Sequence, residues 1–517
     1  YAKRLVYSTV QSKHALLTVN AGSQAPSMPA DLDVRLGVWG LRFRWMGSEQ
    51  EKLNSVQQLL LYLLDVAQER GYRKSPDGNV YEPILLDGST HTHAWRNVCD
   101  MQGFVFHNTR KEVAWEAWTW LTSGGGTLKQ VVEHLTAAND YQFPFLYKDR
   151  STWSFRNGIY LAAEDTFVRY GSDAYARLSP GVVSCKFFDL DFPEEYMDAN
   201  PADIPTPHFD SIGAAQSWPP EVYAWLWIMA GRMLYDVGDR DGWQVLPYMH
   251  GAAGSGKSLL TLGVIKQFYE AGDVGLLSNN CERKWVLSSL FDKFIFVCPE
   301  ARSDMQLEQA ELQSIISGES TSIAQKFKTA RSVERWRAAG WMAGNEIVSW
   351  ADASGSIQRR IVVFDFPQSV KNADMQLNCK LLSEMAFILL KVNRAYLQAS
   401  EQHGSRNIWD VIPAYFKRQQ QQLAADVNSV EAFLSSSEVR FGTELFVPLD
   451  NLKKALKAFE QGNNFPSRRY NVDTFRQPFE KHNLRIERTQ LPYGGRNLSR
   501  DYVIGCDVAG GGGIELA

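Results

Sequence analysis

Residues 251–258 read Gly251-Ala252-Ala253-Gly254-Ser255-Gly256-Lys257-Ser258, a full match to the pattern of a glycine, four free positions, then Gly-Lys-Ser/Thr. Each position has a physical reason. Glycines let the backbone curl until consecutive N–H groups face one point, which makes a nest for an anion. A lysine there reaches the outer phosphates of a nucleoside triphosphate, and the hydroxyl after it completes the shell of a magnesium ion. The flanks agree: Gln244 to His250 is apolar and strand-like, and Leu259 to Glu270 has the spacing of a helix whose positive N-terminal end adds to the nest. Pro247 inside that strand predicts an edge or strand-end position, because proline has no N–H for the ladder. Gly251, Gly254, Ser255, Gly256, Lys257 and Ser258 are therefore the expected phosphate-binding residues, with ATP and Mg2+ as the expected cofactors.

Downstream residues decide what a bound nucleotide would do. Phe294 to Val297 is an apolar strand that ends in Cys298-Pro299-Glu300. A carboxylate at the tip of a strand beside the phosphate loop orients the attacking water or holds magnesium through water. Glu300 is the candidate catalytic base and, with Ser258, a candidate metal-binding residue; Pro299 stands where a second acid would be. A further strand, Gly340 to Gly344, ends at Asn345, whose amide is placed to sense the γ-phosphate. Arg359-Arg360 then precede the strand Ile361 to Phe364. An arginine beyond the nucleotide core suits a finger that spreads its planar charge over a neighbouring subunit's γ-phosphate, and the spacing favours Arg360.

The whole chain has 517 residues, of which 44% are apolar and 22% charged. That is ordinary globular usage and excludes disordered, collagenous and coiled-coil classes. Net charge is 54 − 58 = −4, so a nucleic-acid site has to be a local patch. One such patch is 451–500, with 11 Lys/Arg against 4 Asp/Glu, a net of +7, including Lys453, Lys454 and Lys457 on one helix and Arg468 and Arg469 after it. The six cysteines are scattered with no CxxC pair, which argues against a disulfide framework or zinc ribbon and fits a reducing compartment. Apolar stretches are too short to span a membrane and no signal peptide is legible, so a soluble, intracellular protein with no membrane partner is expected. The chain opens on Tyr1 rather than Met, as a fragment or processed product would.

The fold class expected is α/β: a P-loop motor domain between a mixed helix-and-strand N-terminal region and a winged-helix-like C-terminal domain. Residues 1–110 form an N-terminal region, read as a helical collar or the remnant of an upstream domain, with a helix from Glu51 to Arg70. Residues 111–220 form the domain before the motor: a helix Glu112–Leu121, a boundary-like Ser123–Gly126, strands over 143–195 with an Asn157-Gly158 turn, and a proline-rich linker Pro201–Pro220. An apolar helix Glu221–Tyr235 opens the core, 221–370; a helical section covers 371–430. In 431–506, helices Leu449–Phe459 and Val472–His482 precede a strand pair around Tyr493-Gly494-Gly495, and 507–517 is a flexible tail.

The compact order of P-loop, strand ending in Glu300, basic stretch, Gly344-Asn345-Glu346-Ile347 and Arg359-Arg360-Ile361 resembles the superfamily 3 helicases, AAA+-related motors. Within them it is similar to the helicase part of the primase-helicase family of poxviruses and nucleocytoplasmic large DNA viruses. Trp153 to Tyr160, with its Phe-Arg-Asn-Gly, and the stretches Phe446–Leu449 and Tyr502–Gly505 are similar to that family's flanking domains. The resemblance implies an ATP-dependent replicative helicase, a hexameric ring with ATP at subunit interfaces, moving 3′-to-5′ on single-stranded DNA. It implies single-stranded and forked DNA as partners, with primase and DNA polymerase or processivity factors, at viral replication sites in the host cytoplasm or nucleus. It also implies a pore-facing hairpin, here Ser317 to Arg331, with Lys326, Phe327 and Lys328 at its centre. Independently, two lysines flanking an aromatic suit a sequence-tolerant grip on one strand. Two rival readings are an AAA+ initiator or loader, and a nucleotide-assembled scaffold for a primase or polymerase without processive unwinding.

Other signals are weaker. Phe187-Phe188-Asp189-Leu190-Asp191 has the form of a two-metal acid pair but reads as acidic surface. His91, His93, Cys99 and His107 match no zinc module.

Overall fold

Leu59, Leu63, Leu64 and Ala67 recur at helical spacing and are buried on one face of α1 (Ser55–Glu69), the helix expected over 51–70. The computed structural model describes residues 55–123, 126–278, 286–301, 307, 309–324, 331–345, 357–427, 429–463, 472–493 and 496–508. It is a mixed α/β protein that divides after Glu194 into two compact units.

In the first unit, α1 leads to an antiparallel sheet of β1 (Arg73–Lys74), β2 (Asn79–Leu86) and β3 (Thr90–Asp100). Asp100 ends that sheet and caps α2 (Met101–Asn108), accepting from the Gly103 N–H at 2.7 Å, the ordinary role of aspartate at a helix start. Next come α3 (Trp115–Thr122) and α4 (Thr127–Ala137). Leu121 and Val131 lie in the same buried cluster as Phe104 and Phe143, so Ser123–Gly126 joins two helices of one core. A second sheet follows: β4 (Asp149–Ser154), β5 (Gly158–Leu161), β6 (Thr166–Arg169), the short α5 (Asp173–Arg177) and β7 (Ser184–Phe187), in the order β6-β5-β4-β7. The Asn157-Gly158 turn is built as its sequence suggests. The Asn157 amide bonds both backbone groups of Phe192, and a Cβ on Gly158 would lie 2.4 Å from the Val168 oxygen.

The second unit opens with helices where a proline-rich linker is expected: α6 (Pro207–Ala214) and α7 (Pro220–Arg232). The prolines sit in the first turn of each, where the missing N–H costs nothing. Then comes β8 (Leu246–Gly251), followed by β9 (Val274–Leu276), β10 (Ile295–Cys298), α8 (Gln309–Ser317), the antiparallel pair β11 (Thr321–Ile323) and β12 (Arg331–Val333), β13 (Ala339–Gly344) and β14 (Ile361–Phe366). Five of these strands form a wholly parallel sheet, ordered β14-β8-β13-β10-β9. Their apolar runs are buried, as parallel strands require, apart from Leu276 at the end of the edge strand β9. β8 is central, yet Pro247 is accommodated at its start, because pairing with β13 begins only at Tyr248. The helix after the phosphate loop is shorter and wider than expected: a π-helical stretch, Leu259–Val264, then a 3-10 turn, Ile265–Phe268. Thr261, Gly263, Val264 and Ile265 are weak α-helix formers.

Four helices follow, α9 (Leu377–Ser383), α10 (Met385–His403), α11 (Ile408–Val411) and α12 (Ala414–Val427). The described residues end in α13 (Ser429–Leu434), β15 (Val439–Pro448), α14 (Leu449–Gly462), α15 (Val472–Lys481) and the hairpin β16 (Arg485–Tyr493) and β17 (Arg496–Val508). β15 adds to β17 and was not legible in the sequence: its pairing shifts between Phe441 and Phe446, which breaks the alternation. Val430, Phe433, Leu452, Phe475 and Val503 form the core of this part.

Candidate functional site

β8 delivers the chain to Gly251, where the backbone turns with φ +134°. A Cβ there would stand 2.3 Å from the Phe366 carbonyl oxygen of β14, so only glycine fits. Ala252 N–H donates to that same oxygen at 3.0 Å. The next three carbonyls are all held from outside the loop. Ala253 O accepts from Ser369 Oγ at 2.7 Å, Gly254 O from Val370 N at 3.0 Å and Ser255 O from Gln216 Nε2 at 3.0 Å.

Lys257 is buried, and its Nζ donates to Gly251 O at 2.9 Å, Ala252 O at 2.5 Å and Ser255 Oγ at 3.2 Å. Burial pushes its pKa below that of a free lysine, and the Asp365 carboxylate partly offsets this. The ammonium is thus removed from water and rests on neutral oxygens of the loop, which anionic phosphate oxygens would replace favourably. Ser258 is exposed at the start of the helical turns, where its hydroxyl is accessible to a metal ion arriving with a nucleotide. Loop, lysine and hydroxyl together fit a magnesium nucleotide. Among the described residues no group of three His, Cys, Asp or Glu side chains forms a separate metal site.

Glu300 and Asn345 stand at the same edge of the sheet as the loop. Gly344 pairs in register with His250, and the Ala301 N–H donates to Ala343 O at 2.7 Å, which sets Glu300 level with the end of β13. Both side-chain-bearing residues are exposed. The glutamate strand is not beside the phosphate loop as the sequence reading assumed. β13 lies between, because β10 pairs with β13 and β9 and not with β8. With strands about 4.8 Å apart, Glu300 is offset by roughly 10 Å from the phosphate-loop strand, with Asn345 midway. That spacing leaves room for a phosphate chain and a water molecule. Ligands of open parallel sheets bind outside the carboxyl ends of the strands.

Arg359 and Arg360 lie at the opposite edge. Ile361 pairs with Leu246, at the far end of β8 from Gly251, and a strand of that length spans roughly 17 Å. Arg360 is buried, and its Nε and Nη2 are 3.4 and 3.3 Å from Ser317 Oγ. Arg359 is exposed, and both arginines line a cavity of about 380 Å³ with Ser405, Arg406 and Trp409. Lys326, Phe327 and Lys328 lie outside the described residues, between the paired strands β11 and β12. In the basic C-terminal part Lys454 and Lys457 are exposed, while Lys453 lies over the Phe475 ring at 6.0 Å. Arg468 and Arg469 lie outside the described residues.

The first unit resolves the weaker signals. Asp189 and Asp191 are solvent-exposed and face Arg156 at 3.7 and 3.6 Å, a surface ion cluster. The His91 and His93 rings pack edge to face at 5.2 Å, and His93 Nδ1 bonds Val182 O. Sequence reasoning missed Gln216, Ser369 and Val370. No motif marks them, since they reach the loop from 39 or more residues away.

No family model and no curated protein matches the chain. Among solved structures it is similar to the apo C-terminal region of NrS-1 in its A form, at 12% identity over 86% of this chain and 98% of that one, TM-score 0.39. A second apo structure of that region, residues 305–718, shares 12% identity over 88% and 100%, TM-score 0.39. Neither activity nor partner passes between chains at that level of likeness.

Proposed function

We propose that this chain is an ATP- and magnesium-dependent DNA helicase of the superfamily 3, AAA+-related kind, acting in replication as a hexameric ring that moves 3′-to-5′ on single-stranded DNA. One observation carries the reading. The phosphate loop, Asn345 and Glu300 follow three neighbouring strands at the same end of the parallel sheet, an order that supports binding and hydrolysis of a triphosphate. In this reading the backbone from Gly251 to Gly256 and Lys257 hold the phosphates, and Ser258 ligates magnesium. Glu300 takes the proton of the attacking water and Asn345 orients the γ-phosphate. Arg360 acts on a neighbour's nucleotide, which fits its place at the edge remote from its own loop. Lys326, Phe327 and Lys328, outside the described residues, are the proposed contacts to the single strand. The helix–strand–helix–helix–hairpin order of residues 429–508 supports a winged-helix module with a basic face, a common reader of duplex backbone.

The test is ATP-driven displacement of a labelled strand from forks with a 3′ or a 5′ tail. Wild type should unwind only the 3′-tailed fork. Glu300→Gln should keep ATP binding and lose about 10²- to 10⁴-fold in turnover, and Lys257→Ala should lose binding. DNA-stimulated hydrolysis with no displacement would replace the helicase by a loader or an assembly scaffold.

A further inference from the structure

A trans peptide is planar, with its C=O and the following N–H pointing in opposite directions. Fixing one therefore aims the other. In the loop, Ala253 O, Gly254 O and Ser255 O are tied outward to Ser369 Oγ, Val370 N and Gln216 Nε2. The N–H groups of Gly254, Ser255 and Gly256 are thereby turned to the other side, which is the nest a phosphate needs. Gln216 is the pivot of this shell. It is buried, its Nε2 also donates to Gln368 O at 2.9 Å, and its Oε1 accepts from Gln368 N at 2.9 Å. One amide therefore locks the loop to the strand end that supplies Ser369 and Val370.

Gln216 is itself anchored. It lies two residues after the end of α6, whose first N–H groups, His208 N and Phe209 N, bond the Glu384 carboxylate at 2.9 and 3.0 Å. Asp210 and Thr206 of the same segment hold the buried Lys391 ammonium of α10 at 2.8 and 2.7 Å. Trp218 Nε1 donates to Asp365 O at 2.8 Å. The segment 206–218 is thus bonded to Lys391 of α10 and, through Gln216, to the loop.

We infer that Gln216, with Ser369, is a positioning residue for the triphosphate: it presets the direction of the loop's N–H groups without touching the nucleotide. This rests on the nucleotide reading of the loop. Gln216→Met, of similar length with no hydrogen bonds, should weaken binding of a fluorescent ATP analogue by about tenfold or more, in line with losing hydrogen bonds that hold charge-binding groups. At saturating ATP it should keep most of the wild-type kcat, so the loss appears in KM. Ser369→Ala should act in the same direction and Ser369→Thr, which keeps the hydroxyl, should restore binding. The nucleotide-free melting temperature of each variant is measured beside it. A fall in melting temperature with unchanged affinity, or affinity of Gln216→Met equal to wild type, overturns the inference. If instead Lys257→Ala binds as wild type does, the nucleotide reading itself falls.

Discussion

Lys257 holds its proton in a cup of loop carbonyls, and burial makes that proton easier to lose than a solvated lysine's. Phosphate oxygens would hold the proton more tightly, so binding takes up a proton once pH exceeds the free protein's lowered pKa. The sign follows: ATP affinity should fall as pH rises through that lowered pKa, before the ordinary lysine value of 10.5 is reached. Titrations at stepped alkaline pH should show this slope in wild type and not in Lys257→Arg, whose guanidinium does not titrate there. The nucleotide-free protein should gain stability over the same window, because the unfolded chain binds the proton that the fold has lost. A flat affinity profile in wild type would remove the desolvated-lysine account. His91 offers a second case of the same sign in the first unit. Burial, with His93 and Arg73 nearby, lowers its pKa to about 4. Between pH 6.5 and about 4 only the unfolded chain is protonated, so the first unit should lose stability as pH falls through that window. Urea unfolding of His91→Asn should show a shallower acid slope.

The elements that carry the loop are fixed by one buried ion network. Arg232, at the end of α7, makes a two-point contact with Asp241 at 2.8 and 3.2 Å and also bonds Val245 O and Trp243 O. Tyr396 of α10 completes it, donating to Asp241 at 2.6 Å. These bonds set the segment that enters β8. Asp241→Asn leaves the guanidinium buried without its counter-charge and should cost about 3–5 kcal/mol, read as a lowered urea midpoint at unchanged slope. Legibility divides at this scale. The strand, loop and lysine were readable because their signal lies within a dozen residues. The acid and the amide were readable because each ends an apolar strand. The order of those strands was not, since parallel pairing joins residues far apart in sequence and no local pattern says that β13 enters between β8 and β10. Nor could sequence show that the proline-rich stretch bonds to the loop through Gln216, or that the two adjacent arginines differ, Arg360 turned inward to Ser317 and Arg359 outward.

At the scale of the whole molecule, the decisive distance is the length of the parallel sheet. The arginines lie at its amino edge and the phosphate loop at its carboxyl edge, roughly 17 Å apart along β8, farther than an arginine side chain extends. An arginine acting on phosphate must then act on another copy's nucleotide. That claim has a composition test. Lys257→Ala and Arg360→Ala chains should each be inactive as ATPases. On the proposed head-to-tail ring, chains mixed in equal amounts and allowed to exchange would place the loop of one subunit against the arginine of the next. Random assembly then restores an intact loop facing an intact arginine at about one interface in four, so activity should recover to about a quarter of wild type. A mixture that stays inactive would mean the arginine works within its own chain or not at all. Because Arg360 is buried on Ser317 while Arg359 is exposed beside Arg406, Arg359→Ala belongs in the same experiment. Complementation by Arg359→Ala, with Arg360→Ala retaining activity alone, would move the finger by one residue and leave the ring intact.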